Sequence, residues 1–172
     1  MAKRTQTTIM NGKRVRLVTT ISKAGTKVTV KEAPPKEWEL QAAQIQRLRS
    51  MPEYARTARD AGPGKFTLAG DQNASKRGPR AQLEALASGL TSGEHDVRIY
   101  MAGGRLGLIE NKVGKGPLSP AQKDRHGLLF ALGFKLQEVV RAVTRDEAAD
   151  KAEDIVRKWL AANDNKKSTQ AI

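Results

Sequence analysis

The segment from residue 97 to residue 120 constrains the fold more than any other part of this sequence. Two runs rich in apolar residues, Val97–Met101 and Arg105–Val113, are separated by the small residues Ala102-Gly103-Gly104. This spacing predicts an antiparallel hairpin. Ser119-Pro120 follows, and a serine N-cap with proline at the first helical position is a typical helix start. The chain is therefore expected to form a sheet whose hairpin leads into a helix.

Apolar periodicity on either side of this hairpin predicts further helices and strands. We expect helices over Glu37–Ser50, from Pro79 to Ser88, from Ser119 to Leu132 and over Asp146–Ala162, and strands at Phe66–Leu68 and Leu136–Val143. In the third of these helices, Leu128, Leu129 and Leu132 are expected to form the apolar face, and Trp38 and Trp159 are expected in the core. The pattern predicts an α/β fold in which helices flank a small mixed central sheet.

The N-terminal part of the chain differs from the rest in charge. Residues 1–36 contain nine Lys and Arg side chains against a single Glu, a net charge of +8 out of +13 for the whole protein. Val and Thr enrichment predicts a basic β-hairpin from the strands Arg14–Thr20 and Thr26–Lys31, with residues 1–12 flexible. Pro34-Pro35 interrupts the chain. We therefore predict a basic arm over residues 1–34, a main domain over 35–162 and a disordered tail over 163–172.

The composition excludes several classes of protein. There is no cysteine, so disulfides, zinc–thiolate sites and thiol nucleophiles are excluded. No apolar run approaches the roughly 20 residues of a membrane span, and we expect no membrane partner. The excess of positive charge indicates a polyanionic partner, with nucleic acid favoured.

Three charged residues lie at the ends of the predicted hairpin strands. Asp96 precedes the first strand, and Glu110 and Lys112 end the second. The start of one hairpin strand lies beside the end of the next, so we expect Asp96 and Glu110 to converge. Side chains two residues apart on a strand share a face, which places Lys112 with Glu110. Two carboxylates with a lysine suit Mg²⁺ or Mn²⁺ and a phosphate, although a plain surface salt bridge has the same residues.

Several motifs, in order, resemble the VRR-NUC branch of the PD-(D/E)xK nuclease superfamily. They are Glu37 with Gln41, the segment 71–77, the stretch from Gly89 to Asp96, Leu108–Lys112, Gly116–Gln122 and Leu132-Gly133-Phe134. The similar region covers about three fifths of the chain, from Glu37 to Val143. Two positions depart from the family pattern: His95 replaces the proline before the catalytic aspartate, and Asn73-Ala74-Ser75 replaces an Asn-Gly-Gly turn.

The resemblance implies a restriction-endonuclease-like core and a set of roles. Asp96 and Glu110 would bind the metal, with the carbonyl of Asn111 as a further ligand, and Lys112 would be the catalytic lysine. Gln122 would face the site from its helix, although it also fits a capping role. Glu37 would complete the acidic cluster, in competition with Glu39. His126 lies one helical turn after Gln122 and is interpreted as a structural histidine.

The function that the resemblance implies is that of a metal-dependent DNA endonuclease, selective for junctions or flaps rather than for sequence, and active as a homodimer. The same resemblance leads us to expect a cytoplasmic location, in a bacterium or a phage-infected host. Branched or double-stranded DNA is the expected partner. The cations expected to contact phosphates are Lys76, Arg77, Arg80, Lys115, Lys123, Arg14 and Arg16. Two alternatives remain: a non-catalytic DNA-binding or architectural protein with a nuclease-like fold, and a nuclease that acts on RNA.

Overall fold

The computed structural model describes residues 1–71 and 78–168 in two compact units. One unit comprises residues 1–35, and the other comprises the described residues from 36 onward. The division follows Pro34-Pro35, where proline fixes φ and removes a backbone donor.

The N-terminal unit is a three-stranded antiparallel sheet. Its strands are β1 (Ala2–Met10), β2 (Lys13–Ser22) and β3 (Gly25–Glu32), in that order across the sheet. The predicted hairpin corresponds to β2 and β3 and is confirmed. The expectation that residues 1–12 are flexible is wrong, because β1 pairs with β2 along its whole length. The turn between them is Asn11-Gly12, with φ of 49° and 73°, a dipeptide that favours the tight hairpin turn.

Among its described residues, the second unit contains four α-helices, a short 3-10 helix (Ala58–Asp60) and a four-stranded sheet. Its elements in chain order are α1 (Glu37–Arg49), β4 (Phe66–Gly70), α2 (Pro79–Ala87), β5 (Val97–Met101), β6 (Arg105–Val113), α3 (Pro120–Ala131), β7 (Leu136–Ala142) and α4 (Arg145–Ser168). The strand order is β4-β5-β6-β7. The first two pairings are antiparallel and β6 pairs with β7 in parallel, with α3 as the crossover. The predicted α/β class with a small mixed sheet is therefore confirmed.

Strand β6 lies between β5 and β7, and the main core forms on the face covered by α1 and α4. Trp159 of α4 is buried against this core, as predicted. Trp38 is 61% exposed, so its predicted core position is wrong. The buried face of α1 instead carries Leu40, Gln44 and Leu48, spaced four residues apart. The face was misjudged because a polar residue, Gln44, occupies its centre.

Two further details of the helices differ from expectation. In α3, Leu129 is buried but Leu128 and Leu132 are exposed, so only part of the predicted apolar face packs inward. Helix α4 continues to Ser168, so residues 163–168 are helical rather than disordered, and residues 169–172 lie outside the described residues. Among the helices described, none is long and apolar enough to cross a membrane.

Gly107 provides a test of the packing between β6 and α4. A Cβ atom at this position would overlap the ring of Trp159. We expect Gly107→Ala to lower the free energy of unfolding by about 1–3 kcal/mol, because an overpacked core must shift. Urea denaturation measures the change.

Gly127→Ala is the matched control. Gly127 lies within α3 and has open space around its Cα, so alanine should raise stability by about 0.5–1 kcal/mol through helix propensity. Equal effects of the two substitutions would contradict the packing described for Gly107.

Candidate active site

The hairpin of β5 and β6 brings Asp96 to the end of β6. Val97 pairs with Ile109, so the residue before β5 lies next to the residues after Ile109. The backbone N–H of Asn111 donates a hydrogen bond of 2.7 Å to Oδ2 of Asp96. The convergence expected from the sequence therefore has a direct structural basis: the backbone of β6 holds the aspartate.

Glu110 and Lys112 form a buried ion pair on the same face of β6. Nζ of Lys112 lies 2.7 Å from Oε1 of Glu110, whose side chain is only 1% exposed. The same ammonium donates to the carbonyl of Asn111 at 3.0 Å and to Oε1 of Glu37 at 3.3 Å. Three oxygen acceptors thus surround Lys112, which satisfies the three donors of an ammonium group.

Burial shifts the ionisation of all three charged residues. It raises the pKa of Glu110 to about 7; the charge of Asp96 adds to this shift and Lys112 opposes it. Burial likewise raises the pKa of Asp96. Burial alone would lower the pKa of Lys112, but the hydrogen bond and charge of Glu110 outweigh it, and the pKa is raised. At neutral pH Lys112 is therefore charged, whereas Glu110 titrates close to neutrality.

Gln122 joins α3 to the acidic cluster. Its Nε2 donates to Oε1 of Glu110 at 2.5 Å. Its Oε1 accepts from the backbone N–H of Ser119 at 2.9 Å, while Oγ of Ser119 accepts from the N–H of Gln122 at 3.2 Å. This reciprocal pair is a capping box. The two roles considered for Gln122, helix capping and contact with the site, are thus both present in one side chain.

Helix α1 supports the site through two glutamines. Gln41 donates from Nε2 to the carbonyls of Asp71 and Asp96, at 2.9 and 2.8 Å. Gln44 is fully buried and donates to Oδ1 of Asn111 at 2.7 Å. Sequence reasoning missed Gln44. The available signal was a polar residue in the middle of the Leu40–Leu48 helical face.

The two acids at the start of α1 have different surroundings. Glu37, with a side chain 48% exposed, reaches Lys112. Glu39 accepts from the backbone N–H of Lys36 at 2.7 Å and forms an ion pair with Arg145. Of the two candidates, Glu37 is the one that contacts the cluster.

His126 lies beside Glu110 and stacks on His95. The rings of His95 and His126 stack with centroids 3.8 Å apart, and Nε2 of His126 lies 3.6 Å from Oε2 of Glu110. Burial lowers the pKa of both, that of His95 to about 3, so both rings are neutral at pH 7. His95, which stands at the position of the proline in the family that the motifs resemble, is fully buried and stacks on His126 of α3.

The cations predicted to contact phosphates lie in several places. Arg80 is exposed on α2 and pairs with Glu84 at 3.0 Å, and Lys115 and Lys123 are exposed on either side of the start of α3. Arg14 and Arg16 belong to β2 of the N-terminal unit, where the Arg14 guanidinium donates to the carbonyl of Pro34. Lys76 and Arg77 lie outside the described residues.

The donor set at this edge fits a hydrated divalent cation. Oε2 of Glu110 is buried and accepts no hydrogen bond from the described residues. Asp96 and Glu110, with the carbonyl of Asn111, offer hard oxygen atoms, and Mg²⁺ typically takes one or two carboxylates and keeps several waters. Across the described ranges, no group of three or more acidic or histidine side chains forms a larger metal cluster. The fit is therefore to an ion that keeps much of its water.

Comparison with known proteins adds no relative to this picture. No family model, curated protein or solved structure matches the chain. Any assignment of function must therefore be argued from the residues of the site and their geometry.

The raised pKa of Glu110 predicts a pH-dependent stability. In the unfolded chain this carboxyl has an ordinary pKa, so the folded state binds the proton more tightly. The stabilisation is complete below the unfolded pKa and is lost as the pH rises through about 7. Relative to wild type, Glu110→Gln should therefore gain stability from about pH 5 to about pH 8, by on the order of 3 kcal/mol.

Urea denaturation in the presence of EDTA measures this difference across the pH range. Glu138→Gln on β7 is the control. Glu138 is exposed, so this substitution makes the same chemical change outside the cluster. A stability difference between Glu110→Gln and wild type that stays constant with pH would rule out the raised pKa.

Proposed function

We propose that this protein is a metal-dependent DNA endonuclease that hydrolyses phosphodiester bonds. The observation that carries the proposal is the edge formed by Asp96, Glu110 and Lys112. There a protonated lysine forms an ion pair with Glu110, and its charge also acts on Asp96; the pKa of both carboxyl groups is raised, and Oε2 of Glu110 is buried without a donor. Such an arrangement is costly to fold and is typical of functional sites.

Each side chain of this edge has a role in the proposal. Asp96 and Glu110, with the carbonyl of Asn111, would hold Mg²⁺ or Mn²⁺, which supplies Lewis-acid chemistry at a phosphate and at water. The N–H of Asn111 fixes Asp96, and the amide of Gln122 fixes Glu110. Preorganised groups of this kind need not rearrange when charge develops on the substrate.

Lys112 acts in this proposal as a hydrogen-bond donor and a positive charge, and not as a base. Its pKa is raised, so it keeps its proton at neutral pH. Of its three contacts, the one to Glu37 is the longest and involves the most exposed partner. A phosphate oxygen or the attacking water would therefore replace Glu37 most readily, and Lys112 would stabilise the negative charge that develops there.

The proposed substrate, oligomeric state and location are based on the charge of the protein and on the motif resemblance. We propose branched or double-stranded DNA as substrate, with the exposed Lys115 and Lys123 beside the site as phosphate contacts. Selectivity for DNA structure, a homodimeric state and a cytoplasmic location belong to the same proposal. The exposed Leu128 and Leu132 of α3 offer an apolar surface that a second copy would cover.

The proposal predicts that substitutions of the acidic residues lower the cleavage rate without a matching loss of DNA affinity. With Mg²⁺, wild-type protein should nick plasmid and cut a four-way junction, and EDTA should abolish both reactions. Asp96→Asn and Glu110→Gln should lower the cleavage rate by at least about 100-fold while DNA affinity changes little, since electrostatic groups at the reacting phosphate act mainly on the rate. Cleavage gels and electrophoretic mobility shifts provide the two measurements.

Glu138→Gln serves again as the matched control and should cut like wild type. If every protein, wild type included, binds DNA and none cuts it, the non-catalytic DNA-binding alternative is correct. A substrate panel that includes RNA tests the other alternative, since cutting of RNA with DNA left intact would contradict the proposed substrate.

A further inference from the structure

The three-stranded sheet of the N-terminal unit segregates its side chains by charge. Residues directly opposite each other in an antiparallel sheet lie on the same face, and alternate residues lie on opposite faces. The register therefore assigns five cations to one face, here called the basic face: Lys3, Arg14, Arg16, Lys27 and Lys31. The same register puts no acidic side chain on this face.

The opposite face has a different composition. It carries Val15, Leu17, Ile21, Val28 and Val30, together with two cations, Arg4 and Lys13, and the acid Glu32. Sequence counting alone shows a basic arm, but only the register shows that most of its charge lies on one side. Among the side chains that the structure describes, Lys3, Arg16, Lys27 and Lys31 have no ion-pair partner.

Four of the five cations of the basic face lie in two rows, and Arg14 lies two residues before Arg16 on β2. Lys3 and Lys27 flank Thr20 in one row, and Arg16 pairs with Lys31 in the other. The rows are four residues apart along each strand, or about 14 Å at the usual strand rise of about 3.4 Å. Between them lies a row without charge, Thr5, Val18 and Thr29.

This spacing matches the distance between two phosphate backbones across a groove of DNA. The major groove of B-DNA is about 12 Å wide and about 8.5 Å deep, whereas the minor groove is about 6 Å wide. Two cation rows would meet the two backbones across the major groove. The short threonine and valine side chains between the rows do not reach base edges at that depth, so such contact would carry little sequence information.

We propose that the basic face binds the two backbones of duplex DNA across the major groove, independently of sequence. Lys3 and Lys27 contact one backbone, and Arg16 and Lys31 contact the other. The basic face belongs to the N-terminal unit, whereas the acidic edge of β6 belongs to the second unit. Its binding needs no divalent cation and no cleavage.

Binding measured in EDTA tests this inference without reference to nuclease activity. Fluorescence anisotropy of a short labelled duplex, titrated with the full chain over a range of salt concentrations, gives the affinity and its salt slope. The double variant Lys27→Gln/Lys31→Gln removes one contact on each backbone. It should reduce the salt slope by about 1.8 and the affinity about 30-fold at about 0.15 M salt, because each phosphate contact contributes about 0.9 to the slope.

The control is Arg4→Gln/Lys13→Gln, which removes the same charge from the opposite face. It should change the salt slope by less than half as much. Both double variants should keep the wild-type circular dichroism spectrum and unfolding temperature, since all four positions are exposed. Equal losses of DNA affinity in the two double variants would overturn the inference, because the affinity would then depend only on the total charge of the protein.

The form of the nucleic acid provides a second test. One strand of the same sequence offers a single backbone, so it should bind more weakly than the duplex and lose less affinity in Lys27→Gln/Lys31→Gln. Tighter binding of the single strand, or of the matching RNA duplex, would contradict a surface built for two backbones across the DNA major groove.

Discussion

The buried ion pair between Glu110 and Lys112 is the interaction on which the arrangement of the second unit depends. Removing a carboxylate and an ammonium from water costs several kcal/mol each, and only close contact with further hydrogen bonds offsets that cost. Lys112 gains further hydrogen bonds to the carbonyl of Asn111 and the carboxylate of Glu37, and Glu110 gains one from Gln122. The hydrogen bonds and ion pairs of these two buried charges thus connect three elements, β6, α1 and α3, at one site.

Helix α1 connects this point to the apolar core. Its buried face contains Leu40 and Leu48, which pack in the core, and Gln44, which bonds to Asn111 on the side of β6 opposite Glu110. The same helix presents Gln41 to the carbonyl of Asp96. Packing of α1 therefore fixes the side chain of Asn111 on β6 and the backbone of Asp96 before β5, and the geometry of the acids depends on ordinary core contacts.

Local signals made much of this arrangement predictable. The hairpin of β5 and β6 and the start of α3 at Ser119-Pro120 could be placed because their determinants lie within a few residues. The partner of Gln44 could not be predicted, since Asn111 is 67 residues away, and the stack of His95 on His126 depends on the crossover through α3. Strand β1 was missed although Asn11-Gly12 is a strong turn signal, because Thr-rich strands lack the apolar alternation of a buried sheet.

The capping box of α3 explains why an amide, and not an acid, occupies position 122. Glutamate and glutamine serve equally well at the third position of a capping box, because the helix needs only an oxygen acceptor for the N–H of Ser119. The remaining end of the side chain faces Glu110, which needs a donor. A glutamate would leave two carboxylates in contact. The choice between two nearly isosteric residues at a helix terminus is therefore made by a carboxylate on a neighbouring strand.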